Sequence, residues 1–93
     1  MKLRLSRQAR ADLDSIATNI GERDPQAAER MQRDLTAALD RLLDHPQAGR
    51  PTGRGLRRFA VPRLPHLILY RVDETIPAVA VVTIRHAARR PLT

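Results

Sequence analysis

Cysteine and tryptophan are both missing from this sequence, and phenylalanine and tyrosine occur once each, as Phe59 and Tyr70. Without cysteine there are no disulfides and no thiolate metal ligands, which suits a reducing compartment such as the cytoplasm. With only 2% aromatic residues, the core has to be built from Leu, Ile, Val and Ala. The same shortage removes the stacking platform on which single-stranded nucleic acid is held. No apolar run approaches the roughly 18 residues of a membrane span, and "MKLRLSRQAR" has no signal-peptide apolar region. A soluble cytoplasmic protein with no membrane partner is expected. Phosphate-cradling loops are absent as well: "GRGLRR" is not followed by a helical pattern, and no G-x-S-x-G turn occurs.

What the chain does have is arginine. Lys2 is the only lysine among 93 residues that carry a net charge of +7. Residues 1–49 hold eight basic and eight acidic side chains, while residues 50–93 hold nine arginines against Asp73 and Glu74. All of the surplus therefore lies in the second half. The planar guanidinium suits carboxylate or phosphate, and a one-sided field speeds docking, so an anionic partner surface is expected. A single domain of this length buries only about 60–65% of the surface its unfolded chain exposes. A partner's contribution to its stability is expected.

Periodicity divides the chain into elements. "KLRLS" alternates and predicts a strand over Lys2–Leu5, with Ser6 as a helix N-cap. Ala9, Leu13, Ile16, Ala17 and Ile20 recur at helical spacing between Arg7 and Glu22, leaving Asp12, Asp14 and Asn19 on the outside. Gly21 helps to stop that helix. Asp24 caps a second helix that has Pro25 at its first position. Its stripe of Ala28, Met31, Leu35, Ala38, Leu39 and Leu42 runs on to Leu43. So short a connection predicts an antiparallel hairpin. Residues 45–55, "HPQAGRPTGRG", are expected to be loop. Strands are predicted over Leu56–Val61, His66–Val72 and Pro77–Arg85, interrupted by Pro62 and Pro65 and by the turn "DETIP". The expectation is a two-layer α+β domain in the order β-α-α-β-β-β, its last three strands an antiparallel meander and its hairpin packed on one sheet face.

Strand alternation assigns faces. In the last strand Val79, Val81, Thr83 and Arg85 point one way, and Ala80, Val82, Ile84 and His86 the other. Both sets are apolar until the end, which predicts a central strand covered on both sides. In the middle strand Ile68, Tyr70 and Val72 oppose Leu67, Leu69 and Arg71, so the face away from the helices should keep an apolar patch for a partner. Catalytic chemistry is poorly supplied. Asp73 and Glu74 sit together on a turn rather than across a cleft. His45, His66 and His86 lie about twenty residues apart without metal-ligand spacing, so no metal is expected. The helices are charge-balanced and contain no basic recognition helix. Direct nucleic-acid binding is accordingly a minor possibility.

"ARADLDSIATNI", "DPQAAERM", "LLDHPQAGRP", "GLRRFAV", "HLILYRV" and "VTIRHAARRP" follow one another in an order and spacing that cover residues 3 to 91. This succession resembles the ParE branch of the RelE/ParE superfamily, the toxin halves of bacterial type II toxin–antitoxin modules. The resemblance implies a helical hairpin on a mainly antiparallel sheet. It also implies a choice of activity. RelE-like members cleave mRNA on the ribosome, using basic residues on the sheet and often a C-terminal Tyr or His. ParE-like members have no known hydrolytic activity and are described as poisoning DNA gyrase. Here Tyr70 lies inside the middle strand, Leu67 stands where RNA-cleaving relatives often carry arginine, and "RHAARRP" matches the ParE block better.

The expected function is a toxin that inhibits gyrase by binding it and needs no cofactor. Arg57, Arg58, Arg71, Arg85, His86, Arg89 and Arg90 are expected to contact the target. A ParD-like antitoxin with an acidic C-terminal segment should fold onto Ile16, Ile20, Met31 and Leu35 in a hetero-oligomer. The alternatives are a RelE-like ribosome-dependent mRNA endoribonuclease and a degenerate, non-toxic antitoxin-binding partner. In-line attack by a ribose hydroxyl needs an acid, a base and phosphate stabilisation in one place. Arginine does not lose its proton near neutral pH. His86 supplies at most one half of the pair.

Overall fold

The structure, a computed structural model, describes residues 1–88, so the expected contacts of Arg89 and Arg90 lie outside the described residues. Seven elements follow in the order β1 (Lys2–Leu5), α1 (Arg7–Gly21), α2 (Pro25–Asp44), β2 (Arg50–Gly53), β3 (Leu56–Ala60), β4 (His66–Asp73) and β5 (Ala78–His86). Both predicted caps are made: Ser6 Oγ accepts the Ala9 N–H at 2.9 Å, and Asp24 accepts from Gln26 and Ala27 at 3.1 Å each. Asp24 thereby satisfies two of the N–H groups that a helix start leaves without partners. Gly21 is the last residue of α1 rather than a left-handed terminator, and the turn closes through N–H bonds from Arg23 and Asp24 to Ile20.

One five-stranded sheet, ordered β1-β5-β4-β3-β2, carries the domain. β2 through β5 are antiparallel neighbours, and β1 runs parallel to β5 along the opposite edge. The segment expected to be loop therefore contributes a strand. β2 escapes a composition-based reading because all four of its residues are exposed and Pro51 is among them. Proline is tolerated on a sheet edge, where its missing N–H breaks no ladder, and a short edge strand resists further pairing. The β2–β3 turn passes through Gly53, Arg54 and Gly55, all at positive φ.

β5 is central, as predicted, but its simple alternation fails. Leu69 pairs with Thr83 and Tyr70 with Val81, which leaves Val82 as an extra residue in a bulge. An inserted residue flips every later side chain to the other face. The helix-facing, buried set is thus Val79, Val81 and Ile84, and His86 joins it as the cross-strand partner of His66. Arg85 is opposite Leu67 on the far face. The bulge is gripped by the start of α1. Ser6 Oγ donates to the Val82 carbonyl at 2.5 Å, and the Asp12 carboxylate accepts the Ile84 N–H at 2.9 Å and the Thr83 hydroxyl at 2.6 Å. Asp12, expected to face solvent, instead satisfies a backbone N–H released from the ladder.

The core is aliphatic apart from one ring. Leu35, Ala38, Leu39 and Leu42 of α2 and Ala9 of α1 cover Ile68, Val79, Val81, Ile84 and the fully buried Tyr70. All buried α2 residues fall in its second half. In its first half Met31 packs only partly buried against the core, as Ile16 of α1 does. Tyr70 fastens the segment after α2: its hydroxyl donates to the Pro46 carbonyl at 2.6 Å and accepts the Gly49 N–H at 2.8 Å. A β-carbon on Gly49 would lie 2.5 Å from the phenol oxygen, so only glycine fits.

Candidate functional site: an arginine face and a histidine cleft

Directly opposed residues share a sheet face. On the face away from the helices, register places Arg50 beside Arg58 and Leu69, Arg4 beside Ala80 and Arg71, and Arg85 beside Leu67. Every strand contributes one arginine. Arg4, Arg50, Arg58 and Arg71 are exposed, and Arg85 is half-buried. Leu67 and Leu69 are half-buried between them rather than forming the open apolar patch expected. Guanidinium groups repel one another across such a surface, and an anionic partner relieves that repulsion. Asp73 faces the edge near Arg4. Its carboxyl is held below the ordinary value, chiefly by the Thr75 hydroxyl and also by the Ile76 and Thr75 amides. It therefore stays ionised and is unsuited to donate a proton.

The expected target-contact set divides. Arg58, Arg71 and Arg85 lie on this face, joined by Arg4 and Arg50. Arg57 is opposite Tyr70 on the helix side, where it donates to the Gly49 carbonyl at 2.7 Å and weakly to Gln47 at 3.4 Å. It straps the loop that Tyr70 fastens. His86 also lies on the helix side. Arg4 was legible in the alternation of "KLRLS"; Arg50 was hidden by reading its strand as loop.

His66 and His86 meet across β4 and β5 with ring centroids 5.6 Å apart, edge to face. They line a cleft of about 500 Å³ with Gln8, Asp12, Ser15, Asn19 and the apolar Ile16, Ile20, Met31 and Ile84. His66 is 7% exposed, and its Nδ1 has no hydrogen-bond partner. Burial first, and then the neighbouring His86, lower its pKa below the ordinary 6.5. His86 is exposed, and its Nδ1 accepts the Ala88 N–H at 3.1 Å. Their separation in sequence concealed this pairing. Among the described residues the two histidines and the five-arginine cluster consequently lie on opposite faces of the sheet, with Arg57 on the histidine side.

A second groove runs between the helices and shares Ile16 and Met31 with the histidine cleft. Ile16, Ile20 and Met31 are half-buried on the hairpin, whereas Leu35 belongs to the core at 5% exposure. Among the described residues no group of three or more metal-binding side chains gathers, and no helix is long and apolar enough to cross a membrane.

Over residues 3–91 the chain matches the family described as "ParE toxin of type II toxin-antitoxin system, parDE". It is similar to Toxin RelE2 of Caulobacter vibrioides, at 42% identity over 88% of this chain and 90% of that protein. It is also similar to Toxin ParE1 of the same bacterium, at 37% identity over 85% and 84%. Among solved structures, "Chromosomal ParDE TA system from P. aeruginosa" superposes with a TM-score of 0.77 at 26% identity, covering 92% of this chain and 95% of that one.

Proposed function

We propose a binding mechanism for this chain, which belongs to the ParE toxin family of type II toxin–antitoxin systems, within the RelE/ParE superfamily. It is the toxin component of such a module. In our reading it inhibits DNA gyrase by docking the arginine face of its sheet on an acidic surface of the enzyme, without breaking a covalent bond. A cognate ParD-like antitoxin with an acidic segment neutralises it, seated on the half-buried Ile16, Ile20 and Met31 of the helical hairpin.

The observation that supports binding over cleavage is the separation of the two chemistries. RNA cleavage requires phosphate-stabilising cations beside the acid and base. Arg58, Arg71 and Arg85 face away from His66 and His86. The hydroxyl of Tyr70, the only tyrosine, is fully committed within the fold. Purified toxin at stoichiometric ratio should block supercoiling by gyrase, and the double reversal Arg58→Glu, Arg71→Glu should raise the required concentration by roughly a hundredfold, as expected for the loss of two well-desolvated charge contacts. Undiminished supercoiling at stoichiometric toxin defeats the reading.

One observation favours ribosome-dependent mRNA cleavage as a second reading: two histidines, one with a lowered pKa, face one cleft. That reading requires codon-phased cuts in translated mRNA that disappear in His86→Ala.

A further inference from the structure

His66 and His86 are used neither by the arginine face nor by the core. They occupy directly opposed positions on β4 and β5, where β-carbons lie about 4.5–5.5 Å apart. Two imidazoles bound to one tetrahedral ion, each Zn–N about 2.0–2.1 Å, would have ring centroids about 5.2 Å apart. The observed 5.6 Å is within half an ångström of that separation. His66 also carries a buried Nδ1 without a partner. An orphaned buried nitrogen is costly to leave unsatisfied, by about 1–3 kcal/mol, and a metal lone-pair bond is one way of satisfying it.

We propose that His66 and His86 form a two-imidazole site for a divalent cation of the zinc, nickel and copper class, opening into the cleft beneath α1. The donor set selects that class: two neutral nitrogens suit these ions, while calcium and magnesium require clusters of oxygens. The Asp12 carboxylate lines the same cleft and offsets part of the chain's positive field there. One local interaction opposes binding. The His86 Nδ1 accepts the Ala88 N–H, so taking up a metal costs that exposed hydrogen bond or the tautomer that makes it, about 0.5–1.5 kcal/mol. With two protein ligands and that competition, the site is of moderate affinity, and its remaining coordination positions are open to water or to a donor from whatever docks in the cleft. This inference stands independently of the gyrase reading.

The test is calorimetric titration of the purified full-length chain with zinc chloride at about pH 7.5. One zinc per chain is expected, with affinity at least tenfold lower in His86→Gln and in His66→Gln and unchanged in His45→Gln. His86 is exposed, so its variant keeps the fold and decides the matter even where His66→Gln does not. Proton NMR of the imidazoles gives a second readout: zinc should shift the His66 and His86 resonances and leave those of His45 in place. Equal affinity in wild type and His86→Gln, or absence of saturable binding, overturns the proposal.

Discussion

Replacing Tyr70 by phenylalanine removes one oxygen and strands two groups. The Gly49 N–H loses its acceptor in a buried position, and the half-buried Pro46 carbonyl loses its donor. A buried polar group left unpaired costs about 1–3 kcal/mol, and water reaches the Pro46 side more easily, so the total should be about 2–3 kcal/mol. The ring itself remains and keeps its packing against the core. In a domain of this size, 1 kcal/mol moves Tm by about 4–8 °C, so the variant should melt roughly 10–20 °C below wild type. The chain has no tryptophan and Tyr70 is its only tyrosine, so urea unfolding must be followed by far-UV circular dichroism. The midpoint should fall with the slope m unchanged. Because the hydroxyl is structural in this scheme, Tyr70→Phe held well below its melting temperature should inhibit gyrase as wild type does. An unfolding free energy within about 0.5 kcal/mol of wild type refutes the fastening role. Lost inhibition in a folded variant refutes the separation of Tyr70 from function.

Two further outcomes are expected. Asp12→Ala should destabilise by about 2–3 kcal/mol because it strands the Ile84 N–H at the β5 bulge and removes a charged acceptor; slower amide hydrogen exchange at Ile84 in the variant than in wild type would contradict this. Stability should also decline as pH falls below the ordinary His66 value of 6.5. The folded pKa is lowered, so between the two values the unfolded chain binds the proton and the folded chain does not, which favours unfolding on acidification. Urea midpoints measured downward from about pH 7.5 should show this slope, and His66→Gln should flatten it.

Six of the seven elements and both helix caps were legible because they depend on neighbours in sequence: Ser6 and Asp24 act on amides two or three residues away. Apart from the exposed edge strand β2, what escaped depends on partners distant in the chain. The bulge at Val82 leaves no mark in an apolar run, because "VAVV" alternates equally well in either register, and it moves Ile84 and His86 to the helix side. Asp12 looked solvent-facing on a helical wheel because its acceptors' partners, Thr83 and Ile84, lie some seventy residues later. Arg57 and Arg58, adjacent and chemically identical, do different work only because successive strand residues point to opposite faces. The arginine surplus was visible as a total; its distribution, one residue to each strand, required the register.

The parallel pairing of β1 with β5 brings the earliest segment of the described chain against one of the latest. During synthesis Lys2–Leu5 leaves the ribosome with no partner strand, and Ser6 and Asp12 have no bulge to hold. Arg4 joins Arg71 and Arg85 on one surface only after Ala78–His86 has emerged. The cationic surface is therefore complete only when the last strand is in place, and no chain shorter than that carries it.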